Sequence, residues 1–166
     1  MPSLYDISVP VFIRSFRNLS NNLAKARNWA EETKIPLEDV TGARLIADML
    51  PLTGQIQRAS DTARFVPVRV GDMAPLPLAD EEKTFDDLQT RIDRTVAFLK
   101  NVAPSAFDGQ EQRTVTLKFG PRSVDFTGES YILGFAIPNF YFHVTTAYAI
   151  MRHKGVPLSK VDFLGS

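Results

Sequence analysis

Two histidines and no cysteine set the limits of soft-ligand and nucleophilic chemistry in this chain of 166 residues. No disulfide, thiolate metal site or cysteine nucleophile is available to it. His143 is the more informative imidazole, because its neighbours Phe140, Tyr141, Phe142, Val144 and Ala147 are apolar and an unpaired ring there would lose its hydrogen bonds to water. It needs a polar partner. Asn139 lies four residues before it and Thr146 three after, so on a helix all three share a face, and Asn139 is placed to act with the histidine on a common ligand. A core histidine satisfied by a backbone carbonyl or a carboxylate is the competing reading.

Asp48 and Gln55 are seven residues apart and project from nearly the same side of a helix, with Pro51 between them. If that side meets the Asn139 and His143 face, a buried Asp48 makes either an ion pair with His143 or half of a divalent-metal site. Asp48 as a plain cap for a helix restarted at Pro51 is the alternative. The enzymatic version uses His143 as general base or metal ligand and Asp48 to orient it. The candidate catalytic residues are therefore His143 and Asp48. Gln55, Asn139 and Tyr148 are the candidate ligand-binding groups, and Asp48, Asn139 and His143 the candidate metal ligands. His153 is ten residues beyond His143, about 15 Å along a helix and about 80° around it, so the two cannot share an ion. With one imidazole and oxygen-bearing companions, such a site is weaker and more oxygen-rich than a standard zinc site.

Four helices have to position these groups. Leu4, Ile7, Val11, Phe12, Phe16, Leu19, Leu23, Ala26 and Ala30 step by threes and fours, which predicts a first helix that begins near Ser8 or bends at Pro10. Met49, Leu52, Ile56, Ala59, Ala63, Val66 and Val70 predict a second, from about Ala43 to Val70, with a kink or a late start at Pro51. Gly71 to Asp80, with Pro75 and Pro77, reads as an extended crossover. Thr84 and Asp87 form a capping-box pattern ahead of Phe85, Leu88, Ile92, Val96 and Leu99, the inner face of a third helix whose outer face is charged. Between Arg113 and Thr127 the period falls to two on either side of Gly120-Pro121-Arg122-Ser123, which predicts a β-hairpin. Thr127, with Glu129 behind it, caps a fourth helix that runs to about His153, ahead of Gly155 and Pro157. Apolar on most sides, it is expected to be the most buried of the four. The tail to Ser166 carries enough apolar residues to lie back on the bundle, so one domain spans residues 1–166.

With 19 basic and 19 acidic residues and 44% hydrophobic content, the chain has a globular composition and no field that would draw phosphate backbones or anionic lipid. No nucleic-acid or membrane partner is expected. The stretch Tyr131 to Met151 is better explained as a buried helix than a membrane span, given Gly134, Pro138, Asn139 and His143 within it. MPSLYDISVPVF lacks the basic leader of a signal peptide and reads as mature structure, and the absence of cysteine suits a cytoplasmic location. The G-x-S-x-G, H-E-x-x-H, G-x-x-x-x-G-K-[ST] and G-x-G-x-x-G patterns are all missing.

SLYDISVPVF, ARLIADMLPLTGQIQRASD, TFDDLQTRI and IPNFYFHVTTAYAIMRHKGVPLSKVDFLG, which together reach from Ser3 to Gly165, resemble the family called domain of unknown function 1993. That family is similar to the DinB/YfiT-like superfamily. The resemblance implies a mainly α, DinB-like four-helix bundle with a small β-hairpin before the last helix, commonly a homodimer, in a group that includes metal-dependent thiol transferases and hydrolase-like enzymes. The superfamily places one histidine on the second helix and an H-x-x-x-H pair on the last. By position these fall at or near Asp48, on Asn139 and on His143, so one imidazole of three is kept. An amide and a carboxylate in place of imidazoles lower zinc or nickel affinity and change the preferred ion. The expected function is a polar core pocket that takes a small molecule, with a divalent metal ion as the one cofactor in view. The alternative is a non-catalytic dimeric or partner-binding helical protein with no metal site.

Overall fold

The computed structural model of the chain describes residues 2–165. Helix α1 runs Val9–Glu32, after a turn in which the Ser8 hydroxyl donates to the Leu4 carbonyl at 2.6 Å. Pro10 falls in the first turn, where its missing N–H costs nothing, so the helix starts there and does not bend. A short helix α2, Leu37–Thr41, leads to the first departure from expectation. Residues 43–50 are not helical: Pro51 is the N-cap and α3 is Leu52–Gly71. A proline ring clashes with the carbonyl four residues back and disfavours helix in the residue before it. The freed segment closes instead as a turn, with Leu52 N–H donating to Ala43 O at 2.9 Å.

From residue 72 to residue 84 the chain crosses over without regular structure. Guanidinium groups hold it: Arg64 donates to Leu76 O, Arg94 to Pro77 O and Arg91 to Ala79 O. Arg91, its side chain fully buried, also pairs with Asp61 at 2.8 Å and Glu82 at 2.9 Å. Helix α4, Phe85–Lys100, opens with both halves of the Thr84 and Asp87 capping box. Strands β1, Thr114–Phe119, and β2, Arg122–Thr127, pair antiparallel with Val115 opposite Phe126 and Leu117 opposite Val124. Gly120 takes a φ of +58° at their two-residue turn, a region glycine enters without penalty.

Thr127 caps the next helix with Ser130 as its reciprocal partner, rather than Glu129. Helix α5, Gly128–Tyr131, passes into a π-helical turn, Ile132–Ala136, and then α6, Ile137–Lys154. In the wide turn Ile137 N–H reaches Ile132 O, five residues back. Pro138, which has no N–H for the Gly134 carbonyl, accounts for the break in the α ladder. Gly155, at φ +102°, ends α6, and α7, Lys160–Leu164, lies on α1.

The four long helices form a ring in which α1 and α3 each pack on both α4 and α6. Phe140 of α6 sits 4.7 Å from Phe12 and 5.2 Å from Phe16, ring centre to ring centre, at the middle of the core. Each such ring contributes about 1.5–3 kcal/mol by leaving water. The most buried helix is α3, not the last: α3 hides even Gln55, Ser60, Thr62 and Arg64, whereas Leu133 and Phe142 remain 50% and 55% exposed. Both helices have two long helical neighbours, but α3 is also covered by the crossover, which overrides the greater apolarity of α6.

Candidate functional site

α3 and α6 face each other, and the polar residues predicted on α6 meet polar residues of α3. The half-buried His143 ring places Nδ1 2.8 Å from Gln55 Oε1. Gln55 is itself buried, and its Nε2 donates to Leu50 O at 3.1 Å. Because a carbonyl can only accept, that second bond fixes the amide with Oε1 toward the ring. Nδ1 must then carry the hydrogen, and the neutral imidazole keeps its lone pair on Nε2. Burial, and secondarily the positive charge of Arg58, hold the His143 pKa below its ordinary value, so this neutral form is favoured near pH 7.

One turn earlier, Asn139 Nδ2 donates to Thr62 Oγ1 at 2.8 Å, and the Thr62 hydroxyl donates to Arg58 O at the same distance. The Asn139 Oδ1 is left outside this chain of bonds. The arrangement thus offers two neutral acceptors, an imidazole nitrogen and an amide oxygen, on neighbouring turns of one helix. Phe142 flanks His143 edge-on at 5.2 Å.

The structure brings Gln55, Asn139 and His143 together but not the other two expected residues. Asp48 stands in the exposed 43–50 turn instead of on a helix beside Gln55, and among the described residues it enters no ion pair or side-chain hydrogen bond. Nor does it cap α3, whose N-cap is Pro51. Tyr148 packs edge-on against Phe163 of α7 at 5.6 Å, and five residues past His143 it points about 140° away around α6. Thr146 donates back to Phe142 O, within its own helix. His153 is exposed in the last turn of α6 with Arg152 and Lys154, where cations suit the negative end of the helix dipole. Among the described residues no group of three or more His, Asp or Glu side chains is placed to hold a metal ion.

Thr62 and Arg58 are the residues that sequence reasoning missed. Thr62 is seven residues beyond Gln55 and on the same side of α3, the spacing that singled out Asp48 in the other direction. Arg58 reads in sequence as one more surface cation, yet it lies between Asp61, at 2.9 Å, and Asp80 and bears on the His143 charge.

This ring of four helices with a hairpin ahead of the last is the DinB-like architecture. The chain is similar to the crystal structure of a DinB family member protein from Shewanella denitrificans at 33% identity and a TM-score of 0.90, over 98% of this chain and 92% of that one. The family model described as Domain of unknown function (DUF1993) matches residues 4–164, and the chain belongs to that family. No curated protein matches it. Among the described residues no helix is long and apolar enough to cross a membrane.

Proposed function

We propose that this DinB-like protein binds a small molecule at the exposed edge of His143, with ring Nε2 as the accepting atom and Asn139 Oδ1 as a second acceptor. The Gln55 to His143 hydrogen bond carries the reading, because it spends Nδ1 and leaves Nε2 basic and oriented. A ligand that brings an N–H or O–H donor matches this edge. A group with a labile proton would find in Nε2 a base of the right kind for neutral pH.

The donor set does not fit the divalent ion that the superfamily resemblance suggests. Asp48 is remote in an exposed turn, Gln55 Oε1 is taken by the ring N–H, and the two acceptors left are both neutral. The Arg58 guanidinium adds positive charge close to where a cation would sit. No step is therefore routed through a metal.

The test is a long-range proton–nitrogen spectrum of the histidine side chains, followed by titration with zinc, nickel and manganese salts and with a mixed fragment library. Expected are a protonated Nδ1 and a bare Nε2 for His143, perturbation by donor-bearing fragments, and no stoichiometric metal binding. A bound metal, or a ring protonated at Nε2, overturns the proposal.

A second reading has its own support. Phe142 at 55%, Ile46 at 61% and Leu50 at 44% exposure put apolar surface on the two elements that border His143. Exposed apolar side chains of this size suit an interaction face, and a homodimer through them would match the non-catalytic alternative. Sedimentation of the wild type and of Phe142→Ser separates the two: dissociation of a dimer by the substitution supports the interface.

A further inference from the structure

We propose that the cleft between the β1–β2 hairpin and the C-terminal half of α3 is a binding site for a small aromatic carboxylate. It lies about 21 Å along α3 from Gln55 and is independent of the His143 edge. Arg69, Thr116, Leu117, Lys118, Phe119 and Phe135 line it, around a volume of about 460 Å³. That is ample for a single-ring ligand.

Two features define its chemistry. The first is positive charge without a counter-ion. Arg69 has no carboxylate within ion-pair distance among the described residues. Its one side-chain hydrogen bond there runs from Nη1 to the Tyr131 hydroxyl at 2.8 Å. Burial raises the Tyr131 pKa despite the opposing pull of Arg69, so that partner stays a neutral phenol. The guanidinium keeps donors to spare, in the fork that grips a carboxylate in bidentate fashion. Lys118 stands exposed on β1 and is likewise unpaired among the described residues, while the nearby Asp125 carboxylate accepts the Thr116 hydroxyl at 2.6 Å. Every other arginine of α3 differs: Arg58 and Arg64 are both tied to Asp61.

The second feature is an aromatic wall. Phe119 meets Phe135 edge-on at 5.7 Å, Phe135 stacks on Tyr131 at 6.0 Å and 19°, and Phe126 closes on Phe135 at 6.1 Å. Arg69 lies over the Phe65 ring at 4.7 Å and over Tyr131 at 5.6 Å, which holds the guanidinium in place before any ligand arrives. Phe119 keeps 46% of its surface in water, an apolar ring left uncovered at the mouth of a cationic cleft. An aromatic ring that stacks beside Phe119 and Phe135 and carries its carboxylate to Arg69 and Lys118 satisfies both features at once. Phe135 belongs to the π-helical turn, a local distortion often found beside functional sites.

The full chain is titrated with sodium benzoate, benzamide and sodium acetate, and backbone and aromatic resonances are followed. Expected is saturable benzoate binding that shifts Arg69, Lys118, Phe119 and Phe135, about tenfold tighter than benzamide or acetate, the worth of one charge-assisted hydrogen-bond pair or of a stacked ring. Arg69→Gln should weaken benzoate about tenfold. Lys118→Glu, on an exposed strand position that the fold does not depend on, should weaken it by a similar factor. Benzoate that fails to saturate, equal binding of benzamide or acetate, or unchanged affinity in Lys118→Glu overturns the proposal, and an Arg69→Gln protein that does not fold leaves the Lys118→Glu arm decisive.

Discussion

α3 carries two polar clusters that solve the same problem in opposite ways. Around Arg91 the groups are mostly charged and cross-paired: three guanidinium groups, from Arg58, Arg64 and Arg91, interlock with Asp61, Asp80 and Glu82 and with crossover carbonyls, although the buried Nε of Arg58 and of Arg91 has no partner among the described residues. Around His143 everything directly bonded is neutral, and two acceptors are left over. Paired charge fixes a segment that has no hydrogen-bonded ladder of its own. Unsaturated neutral groups on the bundle face are what a reversible ligand requires. The contrast is between a fastening and the edge proposed above to bind a ligand.

The largest effect should come from breaking the fastening. Arg91→Leu leaves Glu82 without an ion-pair partner among the described residues, takes one of three guanidinium groups from Asp61 and frees the Ala79 carbonyl, and it is expected to cost about 3–5 kcal/mol in urea unfolding. Gln55→Leu strands the His143 Nδ1–H and the Leu50 carbonyl. It should cost about 1–3 kcal/mol and let the proton move to Nε2, which a nitrogen-15 spectrum would register. A loss below half a kilocalorie, about the scatter of surface substitutions, would mean that the hydrogen bond does not hold the ring.

A smaller effect is expected from pH. The folded His143 pKa lies below its unfolded value, so the unfolded chain takes up a proton first as pH falls. Stability from this residue is complete above about pH 6.5 and declines below it. Thermal melts from pH 7 to pH 5 should show a downward slope that His143→Gln flattens, and an unflattened slope assigns the loss to other groups. Smallest of all, Asp48→Asn should leave unfolding within about 0.5 kcal/mol of wild type. A larger loss would restore the acidic partner that the exposed turn withholds.

Much of this was legible in the chain because it depends on local rules. Apolar spacing marks α1, α3, α4 and α6, Thr84 with Asp87 marks an N-terminus, and alternation marks the hairpin. Asn139 and His143 stand out as polar residues among apolar ones, and Gln55 follows from the same logic on the facing helix. Periodicity carries on through Pro51 while the backbone does not, so the spacing assigns Asp48 to a helix that begins only at Leu52. Arg58, Arg64 and Arg91 were invisible as a cluster, since a charged residue reads as solvent-facing unless its counter-charges, here on the crossover and α3, are known to be near. The wide turn at Ile132–Ala136 leaves the apolar pattern almost unchanged and so gave no sequence signal.

That turn sets the phase between the two ends of the last helical segment. One residue more or less in an α-helix rotates everything beyond it by about 100°. Deleting Gly134, whose side-chain position faces open space, together with Pro138→Ala would let ordinary α geometry run from Gly128 to Lys154 and swing Tyr131 and the hairpin behind it around the axis relative to His143. A single looped-out peptide therefore acts as the gearing that lets the phenylalanine wall and the imidazole edge each face its own side of the same rod.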